Sequence, residues 1–436
     1  MKKLYILGLM ACTMAACKPN VEPETQRAGD ADFSRYLAVG NSLTAGYADN
    51  SLDRNGQTNS YPAMLAGRFI AVSGGKFVQP LLPGNDGWPS PKLILAMKRR
   101  SCDTAASLTP TPYPGALDSV GSSLNVSSGG PYNNMGIPGI RCIDFIMPGY
   151  GLFNPYAKRI FATPGTSRRI DEVMTVNPTF FTLWVGSNDV LGYALGGGAG
   201  SSTPISDAYW FAAAYDTILT KLTARGAKGV AMNIPDITSI PHFTTIPARG
   251  LPLTARQAND LNNWYNKTFN GSGIRFEEGA NHFVIEDQTA PFKFREIRDG
   301  EFILLTTPSD SLFCGTWGTL RPIPARYVLT REEVDEINAA ILNFNNTIRT
   351  ACAKRGIPVA DMNAFMKTLR SGIAYNGVNY NTTFVSGAAF SLDGVHPTQR
   401  GYALVANQII KTINNYYGST LQSIDPNMYS GVAIPK

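Results

Sequence analysis

Short apolar runs alternate with stretches of helical periodicity along this 436-residue chain, and that alternation constrains its fold more than any other feature. Tyr36-Leu37-Ala38-Val39, the run from Phe180 to Val185, the run from Gly229 to Ile234 and Ile357-Pro358-Val359-Ala360 are too short for helices. They lack polar alternation, the pattern of strands buried on both faces. Between them, Ala208 to Leu222 places Phe211, Tyr215, Ile218 and Leu222 on one helical face. A second helix follows Thr330, with Glu333 completing a capping box and Val334, Ile337, Ile341, Phe344 and Ile348 forming an apolar stripe. A third follows Thr398 and carries Leu404, Val405, Ile409 and Ile413. Apolar strands alternating with amphipathic helices predict an α/β fold, a parallel sheet sandwiched between helical layers. Ligands bind such sheets at the carboxyl ends of their strands.

Two stretches, 48–130 (rich in Ser, Gly and Pro) and 238–325, fit the alternation poorly. They read as long insertions on one α/β core over 34–418, followed by a C-terminal tail at 419–436. With 44% apolar and only 16% charged residues, the chain can bury a large core. The net charge of +6 is dispersed, and its densest basic run, Lys98-Arg99-Arg100, reads as a solvated face. No nucleic-acid partner is expected.

The N-terminus reads as a leader. Lys2 and Lys3 precede a short apolar stretch ending at Met14-Ala15-Ala16-Cys17, too short to span a bilayer and typical of an export signal. Small residues directly before a cysteine resemble the bacterial lipobox. The expectation is a signal peptide at 1–16, a lipid anchor on Cys17 and a flexible tether over 17–33. This implies an exported lipoprotein at the outer membrane or cell surface, or in the periplasm. Lys18 rather than Asp after the cysteine resembles outer-membrane lipoproteins.

Four short motifs carry chemistry. Gly40-Asn41-Ser42-Leu43-Thr44-Ala45-Gly46-Tyr47 follows the first strand and exposes a serine at a strand-to-helix turn. Asn134-Met135-Gly136-Ile137-Pro138-Gly139 reads by itself as a turn. Gly186-Ser187-Asn188-Asp189 follows the second strand, where an Asn side chain can donate to a developing oxyanion. Asp393-Gly394-Val395-His396-Pro397 sets a carboxylate three residues before an imidazole, the spacing of a base with its orienting group. Of the other two histidines, His242 and His282 both lie in the second insertion without an adjacent motif and read as ordinary loop residues.

Together these motifs resemble blocks I, II, III and V of the SGNH/GDSL hydrolases, in order, over Tyr36 to Tyr417. The resemblance implies a flavodoxin-like αβα sandwich and a serine esterase or lipase acting through an acyl-enzyme. It implies Ser42 as nucleophile, Asp393 and His396 as the rest of the triad, and an oxyanion hole from the Ser42 amide, the Gly139 amide and the Asn188 side chain. Asn41 stands where the family usually has Asp, and can make similar turn hydrogen bonds. Neither metal nor organic cofactor is implied. The substrate would be a lipid ester or an acyl or acetyl ester of a glycan, with the lipid anchor holding the enzyme to its membrane. The alternative is a non-catalytic surface lipoprotein that binds glycan on the same scaffold.

Cys102, Cys142, Cys314 and Cys352 remain outside the leader, without zinc-ligand spacing. An even count in an exported chain suggests two disulfides, with three connectivities open. Cys102 is the nearest partner for Cys142, which lies just after Gly139. The expected pairs are Cys102–Cys142 and Cys314–Cys352, with free thiols as the alternative.

Overall fold

The computed structural model describes residues 25–102, 106–117 and 121–435. Its main sheet is built from β1 (Tyr36–Gly40), β4 (Asn134–Gly136), β5 (Phe180–Trp184), β6 (Lys228–Met232) and β7 (Val359–Ala360). A separate antiparallel hairpin, β2 (Leu93–Arg99) and β3 (Ala106–Pro112), lies in the first insertion. The sheet order is β7-β6-β5-β1-β4 with every pairing parallel. β4 was not foreseen, because three residues are too few to show a period.

Both faces of the sheet are buried because successive residues point to opposite faces and both sets are mostly apolar. Leu37, Val39, Phe181 and Leu183 face one layer, which contains Phe211, Tyr215 and Ile218 of α3 (Ala208–Thr223) and Ile337, Ile341 and Phe344 of α4 (Arg331–Ala353). Tyr36, Ala38, Phe180 and Trp184 face the other, with Leu65 and Phe69 of α1 (Tyr61–Ile70) and Val405, Ile409 and Ile413 of α6 (Gln399–Tyr417). The capping box at Thr330 and Glu333 forms in both directions. Two further helices bear on the site: α2 (Asn188–Leu195) and α5 (Met362–Ser371).

Several expected boundaries move. The leader, Cys17 and residues 18–24 lie outside the described residues, but the described part of the expected tether, 25–33, already packs on the fold before Tyr36. Phe33 stacks on Phe69 at 4.0 Å between ring centroids, and the Asp30 amide donates to the Tyr417 carbonyl. The C-terminal tail is also held: Leu421 and Ile424 are buried, and their amides donate to Asn414 and Asn407 of α6. Within 48–130, α1 is a helix of the core sandwich, so the first insertion proper begins after it. The second insertion encloses its own cluster, including Tyr265, Phe276, Val284 and Ile285.

The cysteine pairing is corrected. Cys102 is bonded to Cys314, joining the first insertion to the second, while Cys142 and Cys352 are buried free thiols. Cys142 sits beneath the sheet edge beside the Phe211 carbonyl, and Cys352 lies beside the Tyr215 hydroxyl. Both are committed to the α3–α4 layer, away from the insertions that carry the other pair.

Candidate active site

The turn that carries Ser42 follows from close packing at the end of β1. A Cβ on Gly40 would lie 2.0 Å from Thr44 Oγ1 and 2.6 Å from the Trp184 carbonyl, so only glycine fits there. Asn41 then leaves the strand and caps the one-turn helix Ser42–Ala45, its side chain accepting from the Leu43 amide at 3.1 Å. Asparagine therefore fulfils the turn role at this position. Ser42 is left at the carboxyl edge of the sheet.

β4 locks the second motif against that turn. Asn134 donates to the Thr44 carbonyl at 3.0 Å and accepts from the Gly136 amide at 3.1 Å. A Cβ on Gly136 would lie 2.3 Å from the Ala45 amide, so Gly136 is a packing glycine. Gly139, at φ +82°, instead lines the cleft with Ser42 and Asn188. The next turns are held from the third motif. Asn188 donates one side-chain N–H to the Ile140 carbonyl at 2.9 Å, and Asp189 accepts from the Cys142 amide at 2.9 Å. This carboxylate, not a disulfide, braces the loop beyond Gly139. Burial pushes Asp189 up to about 6, while the Cys142 amide draws it back.

On the last loop, His396 Nε2 lies 2.9 Å from Ser42 Oγ and Nδ1 lies 2.9 Å from Asp393 Oδ2. Asp393 Oδ1 accepts from the Val395 and His396 amides, each at 2.8 Å, and from Ser391 Oγ at 3.0 Å. Burial alone would raise this carboxyl, but the charge and hydrogen bonds of His396 outweigh it and hold Asp393 at about 2. The acid stays ionised and keeps the imidazole oriented.

A brace not read from sequence completes the loop. Asp49 and Asn50 have φ of +52° and +62° and lie between Ala48 and Ser51, which exchange two backbone hydrogen bonds, as in a type I′ turn. The Asn50 amide donates to Asp393 Oδ2 at 3.0 Å, the Leu392 amide to Asp49 Oδ1 at 2.9 Å, and the Asp49 amide to Ser391 Oγ at 3.0 Å. Consecutive Asp-Asn between Ala48 and Ser51 was the available signal, since both tolerate the left-handed region.

Two recesses meet at Ser42 and His396. One is an apolar slot lined by Trp184, Leu191, Ile237, Met362, Phe365 and Val405. The other is a wide cleft walled by Thr109 and Pro110 of β3 on one side and by Leu305, Leu312 and Phe313 of the second insertion on the other. The Cys102–Cys314 bond ties these walls together. Of the remaining histidines, His282 pairs with Asp299 at 3.2 Å on the second insertion, whereas His242 is buried in the wall of the cleft.

A family model described as GDSL-like lipase/acylhydrolase matches residues 36–409. A search of curated proteins found no match. Among solved structures, an alpha/beta hydrolase from the metagenome of Lake Arreo, Spain, is similar at TM-score 0.39 and 10% identity, covering 88% of this chain and 96% of its own. A lipase/acylhydrolase from Enterococcus faecalis gives TM-score 0.33 and 12% identity, with coverage of 89% and 98%. An acetylxylan esterase from Geobacillus stearothermophilus gives 0.34 and 10%, with coverage of 89% and 97%. These structural likenesses are weak, and the sequence match carries the assignment.

Proposed function

Since this chain belongs to the GDSL-like lipase/acylhydrolase family and is a carboxylic ester hydrolase, we propose that it works through an acyl-enzyme on Ser42. The observation that carries this reading is the unbroken relay from Ser42 Oγ to His396 Nε2 and from Nδ1 to Asp393, both at 2.9 Å. His396 takes the Ser42 proton as the hydroxyl attacks the ester carbonyl. Charge then builds on the carbonyl oxygen, where we assign the Ser42 and Gly139 amides and the second side-chain N–H of Asn188 as donors. Losing one such donor typically costs about 10²–10³ in rate. His396 next protonates the leaving alcohol and activates a water, which releases the acid and restores Ser42.

The apolar slot beside Ser42 supports an acyl group that is itself apolar, as in a lipid ester or a fatty-acylated glycan. Met362 and Met366 line it, and unbranched thioether side chains adapt to chains of different length. A series of p-nitrophenyl esters of graded acyl length tests both points. Wild type should favour acyl chains longer than acetyl, and Ser42→Ala should lose activity on all of them with an unchanged melting temperature. Near wild-type turnover by the Ala variant would remove Ser42 from its role. A further part of the proposal is export and anchoring through Cys17, supported by the lipobox-like Met14-Ala15-Ala16-Cys17.

A further inference from the structure

His242 stands on the one-turn helix Pro241–Thr244, where the chain enters the second insertion. Its backbone is held on both sides: its amide donates to the Gly394 carbonyl and its carbonyl accepts from the Leu305 amide, each at 2.9 Å. The residue is only 4% exposed, yet it lines the cleft that also contains Ser42, Gly139, Asn188 and His396. Neither ring nitrogen has a hydrogen-bond partner. The Asp393 main chain approaches the ring without completing a bond. A buried polar group without a partner is costly, and proteins retain one where water or a ligand supplies the missing contact.

The chemistry of that contact can be read from the surroundings. Burial lowers the imidazole to about 4, against a smaller opposing pull from Asp393. The ring is therefore neutral at pH 7, with one donor and one acceptor nitrogen. A hydroxyl group, which both donates and accepts, matches it. An anionic group does not: no Lys or Arg is among the described residues lining the cleft, and Asp393 contributes a negative charge. Thr245, Thr306 and Thr307 line the cleft as well, adding hydroxyls but no charge.

We propose that His242 recognises the alcohol half of the ester, and that this alcohol is an uncharged polyol, glycerol or a sugar, with a free hydroxyl near the scissile bond. The inference rests on the reading of Ser42 as an ester-cleaving nucleophile. His242 makes no covalent contact in it and moves no proton; it positions the leaving group.

The test uses three esters of one fatty acid: the propyl ester, the 2,3-dihydroxypropyl ester and the 6-ester of methyl glucoside. Each kcat/KM is divided by that ester's hydroxide-catalysed rate, which removes intrinsic reactivity. Wild type should prefer at least one hydroxylated ester over the propyl ester by about tenfold, the scale of one well-made hydrogen bond. The preferred arm separates a glycerol source from a sugar source. In His242→Phe the preference should fall towards unity through KM, and His242→Gln, which keeps a donor and an acceptor, should restore part of it. A purely structural role would lower all three rates together and leave their ratios unchanged, which overturns the proposal. Absence of any preference in wild type also overturns it, and that comparison decides the matter should His242→Phe fail to fold. Failure of wild type to cleave all three esters would instead remove the Ser42 reading beneath it.

Discussion

Asp49 is held where its charge is a liability, so Asp49→Asn should stabilise the protein, and only above acid pH. Burial drives the Asp49 carboxyl from 3.8 to about 6; the Leu392 amide and Lys92 pull it down, and Asp393 and Asp53 add repulsion. A carboxyl raised in the folded state favours folding while protonated. Its contribution is therefore lost as pH climbs from about 4, where the unfolded chain ionises, through about 6. At about 1.4 kcal/mol per pH unit, that gap is worth about 3 kcal/mol at most. Asp49 is only partly buried, and solvent screening reduces the expected gain to about 1–2 kcal/mol. The substitution keeps an oxygen for the Leu392 amide and suits the positive φ. For a chain of this size, that is a rise in melting temperature of about 1–3 °C. Thermal unfolding of both proteins at about pH 4 and about pH 8 should show the rise at the higher pH alone. An equal shift at both values, or a loss at the higher one, would refute the electrostatic account of this turn.

Asp393→Asn should slow turnover by about 10⁴ through loss of imidazole orientation. Its stabilising contribution runs opposite to that of Asp49. A carboxyl lowered to about 2 stabilises the fold above about pH 4 and loses that effect as pH falls towards 2, so the variant should show a flatter acid limb in pH-dependent unfolding. The double substitution Cys102→Ser, Cys314→Ser should cost about 2–4 kcal/mol in denaturant unfolding. Peptide mapping of wild type without reduction should recover the 102–314 pair, and recovery of a Cys102–Cys142 peptide would contradict the structure. Labelled palmitate should enter wild type but not Cys17→Ser; equal labelling would refute the anchor.

The readable parts of this protein were those written locally. Ser42 and Asn188 each sit in a short motif directly after an apolar strand, while Asp393 and His396 share one motif just before the last helix. The capping box at Thr330 and Glu333 and the stripe from Val334 to Ile348 fix a helix from their own spacing. What escaped depends on meetings between distant segments. Cys102 and Cys314 lie 212 residues apart, and sequence proximity pointed to Cys142, whose thiol is committed to the core beside α3. His242 has no motif, because its significance comes from the wall it joins. The Asp49–Asn50 turn went unread although both residue types tolerate its backbone, and its target Asp393 lies 343 positions from Asn50.

The partners in the central hydrogen bond, Ser42 and His396, are 354 positions apart. The first strand supplies one and the loop before the last helix supplies the other, joined by the Tyr402 hydroxyl donating to the Tyr47 carbonyl at 2.7 Å. On the proposed reading, a growing chain presents the serine long before the imidazole that would take its proton. Turnover would then report the meeting of these two segments, and a proteolytic nick that releases α6 with its preceding loop should abolish it.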